Sequence, residues 1–166
     1  MTAGLPGDVF AFLNKLRQAH FPPERNHLSA HLTLFHAIPP SCERELRGLM
    51  ADLSREYAPP MARLDGLLNL GRGTAFRVLS DTMLEVRALI ADRFAGVLTA
   101  QDTQKLRLHV TIQNKVAPRE AKHLQQVLEP DMEPRDFAIP ALEAHYYIGP
   151  QWEAAGRWPF RGSARR

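Results

Sequence analysis

Two four-residue segments repeat one pattern: His31-Leu32-Thr33-Leu34 and, 78 positions later, His109-Val110-Thr111-Ile112. In an extended strand, successive side chains point to opposite faces. His31 and Thr33 therefore share one face, and Leu32 and Leu34 the other. His109 and Thr111 are separated from Val110 and Ile112 in the same way. Each segment offers an imidazole beside a hydroxyl, backed by an apolar face that suits a core. With 7 histidines in 166 residues, roughly 0.1 to 0.2 matches to a His-x-Thr-apolar pattern are expected by chance, so two carry information. By the same alternation Phe35 continues the His31 face, and Gln113 and Lys115 continue the His109 face. His36 falls on the apolar parity of its segment, which makes it a poor partner for His31.

Two imidazoles and two hydroxyls turned toward one another suit phosphodiester cleavage. One neutral imidazole takes a proton from the attacking oxygen, and one protonated imidazole gives a proton to the leaving oxygen. Histidine is the side chain whose ordinary pKa makes both states available near neutral pH. Thr33, Thr111 and Lys115 are the candidates to hold the non-bridging phosphate oxygens, so neither a metal nor another cofactor is called for. A metal-dependent hydrolase with His31 and His109 as ligands is an alternative, although a metal usually needs three or four ligands. No Cys or acidic side chain follows either histidine on its face. A serine triad lacks its G-x-S-x-G elbow. A non-catalytic nucleotide-binding module is the remaining alternative, but binding alone needs no acid–base pair.

The elements that must position these segments follow from periodicity. Val9, Phe10, Leu13 and Leu16 predict a helix that Pro22-Pro23 ends. The run LSAHLTLFHAI predicts a strand. A helix bounded by proline pairs follows, with Ser41 as its N-cap. Two strands turn at Gly71-Arg72-Gly73. A helix then starts at an Asp81 cap and closes toward Gly96. The second half repeats the order: the strand KLRLHVTIQNKV, a helix opened by Pro118, then further strands through RDFAIPALEAHYYIG and WEAAGRWPFRG. The duplicated order, with no linker between the halves, predicts two lobes of one α+β domain over residues 1–160, followed by a basic, disordered tail at 161–166. The composition, 45% hydrophobic and 23% charged, is that of a globular protein, and a net charge of +3 is too mild to predict a nucleic-acid groove. A single cysteine, Cys42, forbids an internal disulfide. With no leader and no spanning run in the sequence, the expected location is the cytoplasm, away from membranes, and nothing demands an obligatory protein partner.

The paired motifs, together with the context HFPPERNHLSAHLTLFH, resemble the 2H phosphoesterase superfamily, in its 2′,5′ RNA ligase-like branch that includes RNA 2′,3′-cyclic phosphodiesterases. The resemblance runs over about residues 8 to 160. It implies a bilobal fold of duplicated, pseudo-two-fold antiparallel lobes with outer helices around a central cleft lined by the motif strands. It also implies catalytic His31 and His109 with Thr33 and Thr111, acting on an RNA end or small ribonucleotide. Carried over residue by residue, it casts His109 as the base and His31 as the acid. Two departures stand out. Only MTAGL precedes Pro6, so the strand that usually opens the fold is short or absent, and Lys115 stands where some relatives carry an arginine. Lysine is a point charge and arginine a planar fork, so substrate preference shifts with that exchange. Phe35 and Tyr146 are candidate substrate walls, and Tyr147 and Trp152 are further stacking candidates. His20, His27, His123 and His145 stand in helix or loop contexts without an evident partner and are expected as surface or capping residues.

Overall fold

A computed structural model describes residues 1–163. Eight strands form one antiparallel sheet with four helices against it. In chain order these are β1 (Thr2–Ala3), α1 (Gly7–His20), β2 (Leu32–Thr33), α2 (Glu43–Glu56), β3 (Met61–Asn69), β4 (Thr74–Leu79), α3 (Asp81–Arg93), β5 (His109–Gln113), α4 (Pro118–Leu128), β6 (Arg135–Ala138), β7 (Ala141–Tyr147) and β8 (Trp152–Pro159). The sheet order is β6-β3-β4-β5-β2-β1-β7-β8. Four strands thus lie on each side of a seam where the two motif strands, β5 and β2, meet. The predicted two-fold arrangement is present, but the halves exchange hairpins. The first half's β3–β4 hairpin flanks the second half's motif strand, and the second half's β7–β8 hairpin lies on the side of the first. The short opening strand β1 bridges β2 and β7.

Helix α1 packs on β5, α4 on β3 and β4, and α2 on β7 and β8, while α3 approaches β3. One continuous core results, with Leu32, Val110, Ile112, Phe76 and Leu142 each at most 1% exposed. The turn predicted at Gly71–Gly73 is observed, and Gly73 is required there. A Cβ on it would sit 2.2 Å from the Gln113 carbonyl oxygen, so any side chain would force the hairpin off β5.

Four local expectations change. The segment predicted as a strand over LSAHLTLFHAI pairs only at Leu32–Thr33. Beyond it the backbone donors turn to other acceptors. Leu34 and Phe35 N–H both donate to the Met1 carbonyl, and His36 and Ala37 N–H donate to the Asp102 carboxylate at 2.9 and 3.0 Å. Burial acts to raise the Asp102 pKa, but the bonds from the His36 and Ala37 amides, the His36 ring and Thr99 outweigh it, and the net shift is downward. The N-cap of α3 is Ser80, whose hydroxyl accepts from Met83 N–H, with Asp81 as the first helical residue. Ser41 lies in a 3-10 turn and does not cap α2. At the end of the chain, Arg161 and Gly162 N–H donate to the Ser54 and Tyr57 carbonyls, which ties down the start of the predicted tail. Residues 164–166 lie outside the described residues. No helix among the described residues is long and apolar enough to cross a membrane.

Candidate active site

The seam brings the motifs together by register. Leu32 pairs with Val110. Extending that antiparallel register by one residue in each direction sets Thr33 opposite His109 and His31 opposite Thr111. Directly opposed residues share a face, so all four polar side chains project to the side away from Leu32 and Val110. The burial pattern agrees: His31, Thr33, His109 and Thr111 are half-buried, while the residues between them are fully enclosed. The histidines occupy one diagonal of this square. Diagonal neighbours stand roughly 7–8 Å apart, which leaves room for a phosphate between the rings.

Each imidazole is held in the same way. His31 Nδ1 lies 2.7 Å from the Ser29 carbonyl oxygen, and His109 Nδ1 lies 2.7 Å from the Arg107 carbonyl oxygen. A carbonyl only accepts, so both Nδ1 atoms carry the hydrogen. In each neutral ring the lone pair is therefore on Nε2. The spacing is identical, a residue bonding the carbonyl two positions earlier, and it fixes both tautomers.

The surroundings of the two rings differ. His31 packs on the Trp152 ring at 4.7 Å between centroids, and Trp152 in turn stacks on His145 at 5.0 Å. Burial draws the His31 pKa from 6.5 down to about 4; its Ser29 bond opposes the shift, and Arg17, His145 and the terminal amino group add to it. His31 is thus neutral at pH 7. His145 is also lowered by burial and by the terminal amino group, against the pull of Glu143, and its Nε2 lies 2.9 Å from Thr2 Oγ1. His109 lies opposite Arg77 on β4. The Arg77 guanidinium is anchored on Asp65, at 2.8 Å to the carbonyl and 2.7 Å to the carboxylate.

Two cavities flank His31. One, of about 350 Å³, is lined by Thr2, Glu143, His145 and Trp152; the other, of about 260 Å³, by Arg17, Arg25, Thr111 and Asn114. His27 borders both. A separate cavity of about 430 Å³ lies between α2 and the β7–β8 hairpin, reached by His145 but by neither motif histidine. Among the described residues, no three His, Cys, Asp or Glu side chains gather as a metal would require.

Three predicted positions fall elsewhere. Phe35 is 1% exposed in the core, because the strand ends at Thr33 and its alternation stops there. The Arg87 guanidinium lies 4.8 Å from the Phe35 ring centroid. Tyr146 is on the opposite side of β7 from His145, where its hydroxyl donates to Glu43 at 2.6 Å and accepts from Arg47. It borders the α2 cavity and is not a wall beside His31. Lys115 is exposed in a left-handed turn (φ 62°) and lines neither cavity beside His31. The reason is a bulge: Thr74 pairs with Gln113 while Ala75 pairs with Thr111, so Ile112 is an extra residue and the alternation inverts. Gln113 consequently turns inward, 3.5 Å from the Thr74 hydroxyl.

Arg17, His27, Thr2, Glu143 and His145 were not evident as site residues from the sequence. Arg17 did leave a signal, since it continues the buried Val9–Leu13 stripe of α1 at helical spacing. His145 shares strand parity with Glu143, but its closeness to His31 depends on the β7–β1–β2 pairing, which no local pattern encodes.

The sequence profile of the 2′-5′ RNA ligase superfamily matches residues 5–149. Among solved structures, TT0787 of Thermus thermophilus is similar at a TM-score of 0.64 and 17% identity, covering 97% of this chain and 96% of that one. A crystal structure described as a phosphoesterase is similar at a TM-score of 0.59 and 17% identity, covering 96% of this chain and 95% of that one. At that identity the likeness establishes the fold. None of the curated protein sequences searched matches the chain.

Proposed function

Since this chain belongs to the 2′-5′ RNA ligase superfamily, we propose that it is a phosphoesterase that opens the 2′,3′-cyclic phosphate of a ribonucleotide or RNA end, or cleaves a 2′,5′ linkage, by acid–base catalysis between His31 and His109. The observation that carries this reading is the matched pair of Nδ1–carbonyl bonds, which leaves Nε2 of each ring as the reactive atom. Acid–base transfer needs rings fixed in this way; a nucleotide-binding module does not.

The reaction follows from the square of side chains. His31, neutral in its buried position, takes a proton from water at Nε2 as the water oxygen bonds to phosphorus. His109, protonated, gives its Nε2 proton to the ribose oxygen as the P–O bond opposite the attack breaks. Thr33 and Thr111 donate to the non-bridging oxygens, where negative charge builds up. The lowered pKa of His31 supports roles opposite to those the resemblance implies, because burial disfavours the protonated ring that an acid needs. Trp152, against His31, supports a stacking place for the base, in preference to Phe35 or Tyr146.

The pH profile of kcat/KM tests the assignment. A neutral base with a lowered pKa keeps working as pH falls below 6.5, so the acidic limb is expected to bend well below that value, toward His31's pKa of about 4. The apparent values that the profile reports belong to the coupled pair. Between pH 6.5 and about 4 the unfolded chain binds a proton at His31 that the folded chain does not, so stability also declines through that window as pH drops. Rates there are read against a folding control. A flat profile between pH 5 and 9, or an acidic limb centred at or above 6.5, contradicts the assignment.

A further inference from the structure

Arg17 is a buried cation without a counter-ion. It is 4% exposed, and none of its described partners is a carboxylate. Its Nε donates to Asn26 Oδ1 at 2.9 Å and the Leu28 carbonyl at 2.8 Å, and Nη1 donates to the Thr111 carbonyl at 2.8 Å. Its Cζ lies 4.2 Å from the Phe21 ring centroid. Burial pulls its pKa down to about 10, so it stays charged at neutral pH. Enclosing a charge among neutral dipoles is costly unless an opposite charge arrives. A guanidinium has five N–H donors, and these bonds occupy only Nε and Nη1.

Arg17 also lines a cavity whose lining contains no acidic residue. Arg17 shares it with Arg25, His27, Asn114 and two members of the reacting square, His31 and Thr111. The nearest acid to Arg25 is its sequence neighbour Glu24 at 4.0 Å, in an exposed pair worth little. The cavity on the other side of His31 differs: it is lined by the Trp152 ring, His145 and a Glu143 carboxylate that pairs with Arg157 at 3.2 Å. An anion therefore fits one side of His31, and a base with its sugar the other.

We propose that the Arg17–Arg25 cavity is a second anion subsite, which holds the phosphodiester one nucleotide away from the reacting phosphate. The protein then prefers oligoribonucleotide ends to mononucleotides. The proposal rests on the phosphoesterase reading above, because it places the reacting phosphate at His31 and Thr111.

The test compares a nucleoside 2′,3′-cyclic phosphate with a dinucleotide carrying the same cyclic end, using the full chain. The expected result is a kcat/KM roughly tenfold or more higher for the dinucleotide, mainly through KM, as a charge-assisted contact would give. Its log–log salt dependence should be steeper by about 0.7, one extra phosphate on a single strand. Arg25→Gln, at an exposed position that folding tolerates, should bring the ratio of the two substrates toward one. Arg17→Lys should lower the same ratio by keeping the charge and losing the fork. Equal kcat/KM for the two substrates, or a ratio unmoved by Arg25→Gln, overturns the subsite while leaving the phosphoesterase reading intact. If neither substrate turns over, the cyclic-phosphate form of that reading fails. The subsite is then judged by calorimetric binding of the dinucleotide: several-fold weakening in Arg25→Gln supports it, and equal affinity overturns it.

Discussion

His31→Ala and His109→Ala each slow opening of a nucleoside 2′,3′-cyclic phosphate by about 10²–10⁴-fold, the usual contribution of a positioned acid or base. Both rings lie half-buried on the face opposite Leu32 and Val110, each with one backbone bond and His31 also against Trp152, so their removal leaves the residues of the core in place. Thermal unfolding of both variants should match the parent within a few degrees. The double variant should be little slower than either single one, because two groups that act on one proton transfer sequence fail together. Rate measurements at saturating substrate separate this from a binding defect: the loss appears in kcat. A variant with parental kcat at either position removes paired-histidine catalysis.

Phe35→Ala destabilises the protein by about 3–5 kcal/mol, the cost of deleting a large ring from a packed core. Phe35 is 1% exposed, and its removal also strips the Arg87 guanidinium of the ring it lies over. Arg87 is already hard-pressed, since its Nε is buried without a hydrogen-bond partner among the described residues. Against a typical total of about 5–15 kcal/mol, such a loss is large. Urea unfolding measures it. At a temperature where the variant remains folded, KM for a cyclic phosphate should be unchanged. A raised KM with unaltered stability would instead place Phe35 at the substrate, where simple strand alternation would put it.

That contrast shows where local sequence stopped being informative. The period-two pattern correctly separated His31 and Thr33 from Leu32 and Leu34, and His109 and Thr111 from Val110 and Ile112, because alternation is a property of the strand itself. It failed one or two residues further on, each time because of a distant partner. The buried Asp102 carboxylate takes the His36 and Ala37 amides out of any ladder. The Ile112 bulge, set by the register against β4, turns Gln113 inward and takes Lys115 away from His109. The end of α1 before Pro22, the start of α4 at Pro118 and the Gly71–Gly73 turn were readable, since proline and glycine act locally, whereas the caps of α2 and α3 were not. The exchange of hairpins between halves was not, and with it went the placing of Trp152, a stacking candidate in the sequence, against His31 and His145, which depends on β1 bridging β2 and β7. Arg17 was visible as a charge on an apolar helix stripe, but its meaning depends on the Thr111 carbonyl and a cavity formed by residues far apart in the chain.

The most direct test of the central claim is phosphorus NMR of a nucleoside 2′,3′-cyclic phosphate incubated with the wild-type protein and excess chelator. Catalysis by His31 and His109 predicts that the cyclic signal gives way to a single monophosphate signal at the same rate with and without chelator. Conversion that the chelator abolishes would contradict it, and no conversion would contradict its cyclic-phosphate activity.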